Sequence, residues 1–451
     1  MNLLRLEKNR SPRWVALCLS LAFLASCNSG DAPAEAEKVR LFPVGLGLAG
    51  TRVNSTIYRQ HSITSDLNFQ FIAYYDEEEV VVLGRRLLGA STWETQRTPY
   101  RGRTDDPHNV INIAIDGRGF LHMAWDSHRS RLRYCRSLEP GSMLMGEETA
   151  MIGNREDCLT YPEFVNLPDG DLLLFYRNGT SGNGDLVVNR YLTDEERWMR
   201  VQDPLIDGEG LRNPYWQWAV DRFGHIHLSW VWREDPPVES NHDLAYAKSL
   251  DGGVTWLRSD GTVYDLPIRA AHAEYAWLIP PGSDLINQTS MATDPEGRPY
   301  IAGYWREEGS EVPQFQIVHH DGGAWRKTQV GQRVTPFRLG GLGSNRIPIS
   351  RPQLAIDSIV SPPRAYMIFR DLDRGERVSM AVSEDIATEE WTFLDLNDFS
   401  VEAWEPTYDK NLWFREARFN IFVQRVAQVA GGEVSDLPPQ MVYVLAWDPY
   451  D

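Results

Sequence analysis

The sequence predicts an all-β protein, a seven-bladed β-propeller of four-stranded antiparallel blades, and three features indicate this fold. Short turns rich in aspartate and glycine recur along the chain, each flanked by alternating apolar residues. Their successive spacings of 40, 53, 52, 73 and 63 residues suit blades with variable loops better than a sandwich with its closer turns. One eight-residue segment also matches a propeller repeat signature. We therefore expect a single propeller domain over residues 39–451, with negligible helix.

The recurring turns lie within predicted β-hairpins. In the clearest hairpin, Ile111, Ile113 and Ile115 alternate before the turn, and Leu121 and Met123 alternate after it. The six turns begin at Asp76, Asp116, Asp169, Asp221, Asp294 and Asp357. Six hairpins of this kind predict six blades.

The two ends of the domain supply a seventh blade and close the ring. Phe419–Val423 and Met441–Ala446 have strand patterns, and an N-terminal strand near Val39–Phe42 would pair with them. Ser249–Trp256 reads SLDGGVTW and matches the Asp-box pattern SxDxGxTW. An Asp-box identifies a propeller but leaves its chemistry open, because its aspartate and tryptophan are structural.

The N-terminus has the features of an export signal. Four basic residues precede an apolar run over residues 15–25, which is too short to span a membrane. Leu24-Ala25-Ser26-Cys27 resembles a bacterial lipobox, which predicts a signal peptide over residues 1–26, lipidation of Cys27 and a flexible tether over residues 27–38. An ordinary signal peptide with a chance cysteine is the alternative. We expect an outer-membrane or cell-surface lipoprotein, and otherwise a secreted or periplasmic protein.

The charge balance limits the partners. Loss of residues 1–26 changes the formal charge from −18 to −21, so nucleic acid is excluded as a partner. A local cluster of arginine and histidine can still attract an anionic polysaccharide. We expect a monomer that contacts the membrane only through its lipid anchor. Cys135 and Cys158 remain in the exported chain, either as one disulfide or as free thiols.

Three polar residues occupy matching positions relative to the turns. His108, Tyr161 and Asn213 each lie eight residues before a turn aspartate, at Asp116, Asp169 and Asp221. In a propeller, residues that enter the inner strands face the central channel, so these side chains should converge on one pocket. His128 and Arg177 come at the ends of the second strands of their hairpins, and Tyr215 neighbours Asn213. All three are therefore expected at the same mouth of the central channel.

Eight short segments resemble the propeller ulvan lyases. They are Asp106–Asn109, Trp125–His128, Thr160–Pro162, Phe175–Gly179, Asn213–Gln217, Asn241–Leu244, Asn287–Ser290 and Ile349–Pro352. The resemblance extends over about residues 60–450, and the spacings of 20 residues from His108 to His128 and 16 from Tyr161 to Arg177 belong to it.

This resemblance implies a polysaccharide lyase that cleaves ulvan by β-elimination between a sulfated rhamnose and a glucuronic or iduronic acid. Arg177 would hold the uronate carboxylate and stabilise the enediolate charge. His108 and Tyr161 would act as base and acid in an order that the sequence leaves open, or one tyrosine could serve both roles. His128 would neutralise charge or orient His108.

The remaining predicted contacts involve substrate and metal. Substrate-binding roles are predicted for Asn109, Asn213, Tyr215, Arg346 and Arg351. Tyr215 would stack against a sugar, and the outer arginines Arg346 and Arg351 would bind sulfate, with solvation at the surface as the alternative for all three. The resemblance allows a structural metal near Asn241–Leu244, but Ala245 replaces an expected cysteine. No metal ligand is therefore assigned, and the elimination requires no cofactor.

Two other classes of function compete with the lyase. The Asp-box and Arg346-Ile347-Pro348 are compatible with a sialidase-like propeller hydrolase, although the Arg-Ile-Pro lies late in the chain. A rhamnosidase acting on rhamnosyl glucuronides could share the histidine pocket. A non-catalytic glycan-binding lipoprotein is the third possibility, against which the intact set of two histidines, a tyrosine and an arginine argues.

Overall fold

The computed structural model describes residues 39–287, 289–341, 346–429 and 433–451. All of these described residues belong to one compact unit. The predicted signal peptide, Cys27 and the whole of the predicted tether over residues 27–38 lie outside the described residues.

Seven antiparallel sheets make up the described part of the chain, which confirms the predicted propeller. Blade 1 contains β2 (Ile63–Ser65), β3 (Phe69–Tyr75), β4 (Val80–Leu87) and β5 (Glu94–Arg101). Blade 2 contains β6 (Ile111–Ile115), β7 (Leu121–Trp125) and β9 (Tyr134–Arg136). Blade 3 contains β8 (His128–Ser130), β10 (Leu159–Asn166), β11 (Leu172–Thr180), β12 (Asn183–Leu192) and β13 (Arg197–Ile206).

The other four blades are four-stranded. Blade 4 contains β14 (Asn213–Val220), β15 (Ile226–Arg233), β16 (Asn241–Ser249) and β17 (Glu274–Trp277). Blade 5 contains β18 (Ser290–Thr293), β19 (Pro299–Trp305), β20 (Gln314–His320) and β21 (Trp325–Gln329). Blade 6 contains β22 (Gln353–Ile356), β23 (Ala365–Phe369), β24 (Ser379–Ser383) and β25 (Thr392–Asp395). Blade 7 contains β1 (Arg40–Gly47), β26 (Thr407–Tyr408), β27 (Phe419–Val423) and β28 (Gln440–Trp447).

The ring closes as predicted, because the first strand of the domain completes the last blade. Strand β1 pairs antiparallel with β28, with Arg40 opposite Ala446, and β27 lies on the other side of β28. The two ends of the domain therefore share one hydrogen-bonded sheet. This pairing removes two free strand edges at once.

Blades 2 and 3 depart from the predicted four strands, because one short strand changes sheet. After β7 the chain turns at Asp126 and again at Arg129, which have φ of 52° and 51°. Strand β8, which contains Arg129, then pairs with β10 of the next blade, where His128 lies opposite Thr160. Blade 2 keeps three strands and blade 3 has five. The exchange carries His128 to the inner edge of blade 3.

The hairpin turns share one hydrogen-bond pattern that explains their sequence. The Asp116 carboxylate accepts hydrogen bonds from the backbone N–H groups of Arg118 and Phe120, at 2.9 and 3.0 Å. Asp221 and Asp294 repeat this pattern with the residues two and four positions later. The turn also needs a left-handed residue at its fourth position, which is why glycine recurs there, as at Gly119 with φ 85°.

The turn of blade 3 begins at Leu167, so the predicted alignment on Asp169 is wrong by two residues. Leu167 N–H donates to the carbonyl of Asp171, and Gly170 N–H donates to the carbonyl of Leu167. These are the backbone bonds that Asp116 makes in blade 2. The eight-residue spacing of Tyr161 from Asp169 is therefore a coincidence, and another feature must place Tyr161 at the channel.

The Asp-box is structural, as predicted. The Asp251 carboxylate accepts hydrogen bonds from the backbone of Val254 and Thr255 and from the Thr255 hydroxyl. The Trp256 ring is fully buried, and its indole N–H donates to the carbonyl of Gly253 at 2.9 Å. Between neighbouring blades, apolar faces pack into continuous clusters that hold the ring together.

Helix is scarce in the described residues, which agrees with the prediction. One α-helix, α1 (Lys410–Glu416), follows β26, and the other helices are single 3₁₀ turns. No described helix has the length and apolarity needed to cross a membrane. Cys135 and Cys158 are both free thiols, which settles the question that the sequence left open.

The shared turn predicts a stability defect. Replacing Asp221 with alanine removes the acceptor for two backbone N–H groups and for the buried His227 ring. We expect the free energy of unfolding to fall by about 1–3 kcal/mol, because buried donors lose their partner. Urea denaturation would measure it, with the exposed Asp265→Ala as the matched control. Equal midpoints for the two variants would contradict this account of the turn.

Candidate functional site

Four predicted catalytic residues form one cluster beside β8, β10 and β11 of blade 3, and we call the place where they meet the mouth. The His108 and His128 rings lie 4.3 Å apart between centroids, and the Tyr161 ring lies 5.9 Å from His108 and 6.5 Å from His128. The Arg177 guanidinium lies over the Tyr161 ring at 5.3 Å. The predicted convergence of these side chains is therefore what the structure shows.

Strand pairing positions this group. Thr160 of β10 pairs with His128 of β8 on one side and with Arg177 of β11 on the other. The Thr160 hydroxyl also accepts a hydrogen bond from the backbone N–H of Arg129 at 2.9 Å. Three neighbouring strands of blade 3 thus present the imidazole, the tyrosine and the guanidinium side by side.

Tyr161 reaches the mouth through a bulge in β10. The register shifts between Thr160 and Glu163, and Tyr161 has a left-handed backbone with φ 57°. A bulky residue rarely adopts this conformation, and such strain concentrates at functional sites. The hydroxyl of Tyr161 has no hydrogen bond to any other described residue. It is therefore free to donate to a ligand.

Asp106 joins the two histidines. Its carboxylate oxygens Oδ1 and Oδ2 lie 2.5 Å from Nδ1 of His108 and Nδ1 of His128, respectively. Oδ1 also accepts a hydrogen bond from the backbone N–H of His108 at 3.0 Å. His128 makes no hydrogen bond to His108, and a shared carboxylate holds both rings.

The charge states of His108 and Asp106 follow from their burial and from the hydrogen bonds between them. Burial lowers the pKa of His108 to about 4, although Asp106 partly opposes the change. Burial alone would raise the pKa of Asp106, but its hydrogen bonds to both histidines hold that pKa well below the usual range. At neutral pH, His108 is therefore a neutral imidazole beside an ionised carboxylate.

Arg177 and Arg233 form a second cluster around Tyr215. Nη1 of each guanidinium donates to the Tyr215 hydroxyl at 3.2 Å. Arg233 also donates to the amide oxygens of Asn241 and Asn287, at 2.8 and 2.7 Å. Arg177 is only 1% exposed, and neither arginine forms an ion pair with a described carboxylate. The two buried guanidiniums could therefore bind an anion.

The pKa values of the two tyrosines beside these arginines are shifted in opposite directions. Burial raises the pKa of Tyr161 well above its ordinary value, and Tyr58 and Tyr215 add to the effect. Burial would also raise the pKa of Tyr215, but Arg233 and Arg177 outweigh it and lower that pKa to about 8. Tyr161 is therefore a protonated phenol at neutral pH. Because the Tyr215 ring is 2% exposed and covered by both guanidiniums, it is not the exposed stacking surface that the sequence suggested.

Arg351 is buried rather than exposed, which corrects its predicted place among outer sulfate-binding arginines. Its Nε and Nη2 donate to the two carboxylate oxygens of Glu405, at 2.8 and 2.5 Å, and Arg52 lies 3.7 Å from the same group. Burial would raise the pKa of Glu405, but Arg351 and Arg52 lower it to about 2. The Arg351 guanidinium also covers the Tyr58 ring, which packs against His108 and Tyr161. Arg351 thus supports the wall of the mouth.

The other predicted binding residues are held by the protein itself. Asn109 donates to the carbonyl of Arg103, and its own buried Oδ1 has no partner. Asn213 accepts a hydrogen bond from Gly182 N–H at 2.6 Å and is fully buried. Arg346 pairs with Glu376 at the surface. Their contacts with substrate remain predictions.

The residues near Ala245 do not fit a structural metal. Both ring nitrogens of His242 are occupied, because Nε2 lies 2.9 Å from Glu234 and Nδ1 lies 2.9 Å from Asp243. Ala245 offers no ligand atom. Within the described ranges, one group has three ligand atoms close enough to hold a metal ion, namely Asp106, His108 and His128.

Sequence reasoning missed Arg233 and gave Asp106 no role. Arg233 lies twelve residues after Asp221, as His128 lies twelve after Asp116, so hairpin alignment could have revealed it. Asp106 is two residues before His108 in a loop, and no periodic signal marks its contact with His128.

Among characterised proteins, this chain is similar to ulvan lyases. It is 26% identical to the short isoform of an ulvan lyase from Alteromonas sp. (strain LOR), over 30% of this chain and 35% of that protein. It is also 26% identical to the long isoform of an ulvan lyase from Glaciecola sp. (strain KUL10), over 30% of this chain and 18% of that protein. The match thus spans about a third or less of these curated relatives.

Solved structures and a family model agree on the architecture. The crystal structure of polysaccharide lyase Uly1 is similar with a TM-score of 0.66 at 15% identity, over 91% of this chain and 99% of that one. A PL25 ulvan lyase bound to -[GlcA(1-4)Rha3S]- is similar with a TM-score of 0.61 at 14% identity, over 89% of this chain and 97% of that one. At such identities the likeness shows the fold alone. The model of the BNR repeat-containing family matches residues 69–333, more than half of the sequence, and the chain belongs to that family.

Proposed function

We propose that this protein is a polysaccharide lyase that cleaves a uronic-acid-containing polysaccharide by β-elimination. The observation that carries the proposal is the buried Arg177 guanidinium, which has no carboxylate partner among the described residues and lies over the ring of a protonated tyrosine that two histidines flank. Such a site is suited to a substrate that brings its own carboxylate. The C5 proton of a uronate becomes acidic enough to remove once that carboxylate is neutralised.

The comparisons support ulvan as the substrate. The relatives named above are ulvan lyases, and the ligand of the similar PL25 structure contains glucuronate linked to 3-sulfated rhamnose. We extend that substrate class to this chain, with cleavage at the bond between rhamnose 3-sulfate and glucuronate or iduronate.

We infer the roles of acid and base, which the sequence left open, from the pKa shifts of Tyr161 and His108 and from their positions beside Arg177. Arg177 would clamp the uronate carboxylate and stabilise the enediolate, with Arg233 behind it. His108, neutral at pH 7, would take the C5 proton; the electron pair forms the C4–C5 double bond as the C4–O4 bond breaks. Tyr161 would donate its proton to the departing O4. Proton exchange with solvent then restores imidazole and phenol.

A propeller hydrolase fits this mouth less well. Glycoside hydrolysis ordinarily requires two carboxyl groups, one as acid and one as base or nucleophile. Asp106 is held between two histidines, and Glu405 is held by Arg351. Neither carboxylate is free to act on a sugar.

The proposed activity is tested with the signal-free protein. Ulvan, a heparan-type glycan and a rhamnosylated arabinogalactan are each incubated with it while ultraviolet absorbance is followed. A lyase creates an absorbing unsaturated uronate, which we expect from ulvan. Reducing ends without that absorbance would identify a hydrolase, and binding without new ends would identify a glycan-binding protein.

The carboxylate clamp predicts that Arg177→Lys is severely impaired. Lysine keeps the charge but cannot make two parallel hydrogen bonds to a carboxylate. We expect kcat to fall by about 10² or more, as when a preorganised donor is removed from a transition-state oxyanion. Initial rates on ulvan measure it, with the exposed Arg326→Lys as the matched control. Near-normal turnover by Arg177→Lys would refute the clamp.

The acid assignment predicts that Tyr161→Phe folds but turns over slowly. Its hydroxyl bonds to no other described residue, so its loss should leave the unfolding midpoint unchanged. Loss of a positioned acid should reduce kcat by about 10²–10⁴. Tyr443→Phe, on the outer part of blade 7, controls for the change itself. A wild-type rate in Tyr161→Phe would exclude Tyr161 as the acid.

The base assignment predicts an acidic limb in the pH profile. His108 must be unprotonated to accept the C5 proton, and burial lowers its pKa to about 4. The value of kcat/KM should therefore stay level as the pH falls to about 5 and drop below about 4. Circular dichroism at each pH separates this loss from acid unfolding. A limb at the ordinary imidazole pKa, about 6.5, would contradict the assignment.

A further inference from the structure

Asp106 contacts both histidines, so its one carboxylate can determine which nitrogen of each imidazole carries the proton. Each of its oxygens meets a different Nδ1, so both Nδ1 atoms are occupied and both Nε2 atoms are left without a hydrogen bond to any described residue. An ionised carboxylate accepts hydrogen bonds and donates none. Both rings must therefore carry a proton on Nδ1, and a neutral ring must expose the lone pair of Nε2.

We propose that Asp106 is the positioning residue of this site: it fixes the Nδ1–H tautomer of both His108 and His128, so that each ring directs Nε2 toward the sugar. The idea rests on the proposed lyase function for its consequence in catalysis, but not for its structural content.

The same contact has an electrostatic effect during turnover. When His108 accepts the C5 proton it becomes a cation in a mouth that already holds Arg177 and Arg52, and both are like charges. The Asp106 carboxylate is hydrogen-bonded to the new imidazolium and offsets that repulsion. One carboxylate can balance one imidazolium, so it favours protonation of one ring at a time.

Backbone geometry keeps Asp106 in this position. Oδ1 accepts from the backbone N–H of His108, two residues later, which closes a local turn. The neighbouring Asn109 side chain ties the loop to the carbonyl of Arg103. Burial of the carboxylate is partial, so the hydrogen bonds to the two rings are the main contacts that Asp106→Asn would alter.

Asp106→Asn changes the site in a defined way. Asparagine has one oxygen acceptor and one NH₂ donor in place of two acceptors. One ring can keep its Nδ1–H bond to the amide oxygen. The other must turn its Nδ1 lone pair toward NH₂ and move its proton to Nε2. We expect kcat to fall by about 10²–10⁴ while KM changes little, because Arg177 and Arg233 still bind the carboxylate. The neighbouring exposed Asp105→Asn is the matched control and should keep the wild-type rate.

Nitrogen NMR of the histidine side chains tests the proposal without substrate. Spectra of the full-length protein labelled on histidine, recorded at about pH 8.5 where a free imidazole is neutral, distinguish the two tautomers. His108→Gln and His128→Gln assign the signals. We expect Nδ1–H and unprotonated Nε2 in both rings of the wild type and of Asp105→Asn, and Nε2–H in one ring of Asp106→Asn.

Two results would overturn the proposal. One is unchanged Nδ1–H tautomers in both rings of Asp106→Asn. The other is a metal ion in the purified wild type that elemental analysis finds at one equivalent and that Asp106→Asn lacks, since these three residues could also ligate a metal. If the wild type releases no unsaturated product from any uronate glycan, the proposed function fails, while the NMR result still decides the role of Asp106.

Discussion

The site depends on two buried positive charges that have no carboxylate partner in the described part of the chain. A buried charge is costly unless it is paired, and Arg351 shows the ordinary solution in its ion pair with Glu405. Arg177 and Arg233 instead share the hydroxyl of Tyr215, a neutral partner in its protonated state. The fold holds them there because Arg177 lies in β11 and Arg233 ends β15, and each strand pairs with a neighbour on both sides. The resulting deficit of negative charge is what an anionic substrate would fill.

The two arginines and the burial of their neighbours also give the titratable side chains of the site different protonation states. The guanidiniums favour the ionised form of Tyr215, whereas burial keeps Tyr161 protonated. On the other side of Tyr161, burial keeps His108 neutral beside the ionised Asp106. A proton donor and a proton acceptor therefore lie next to one carboxylate-binding group at neutral pH. The negative charge of the whole chain plays no part in this, because the field at the mouth is set locally.

The sequence predicted the fold well because its signals are local. A turn aspartate needs only the backbone of the next four residues, so Asp116, Asp221 and Asp294 mark their hairpins reliably. Closure by the N-terminal strand was predicted from the strand patterns at the two ends of the domain. The sequence could not show the transfer of β8 to blade 3 or the bulge at Tyr161, because both depend on pairing between strands that are distant in the chain. Tyr161 was selected through a misaligned turn, while the resemblance to ulvan lyases supported it independently.

Ion pairs and hydrogen bonds between side chains around the mouth were the feature hardest to predict from the sequence. Arg351 was expected at the surface because an isolated arginine usually is exposed, and only Glu405, 54 residues later, explains its burial. The central claim is that the bond is broken by elimination and not by water. Digestion of ulvan in heavy-oxygen water, followed by mass spectrometry of the fragments, tests it most directly. In digests stopped before the reducing ends exchange oxygen with the solvent, the account predicts unsaturated ends and no heavy oxygen in the products; one heavy oxygen atom at each cleavage, without an unsaturated end, would contradict it.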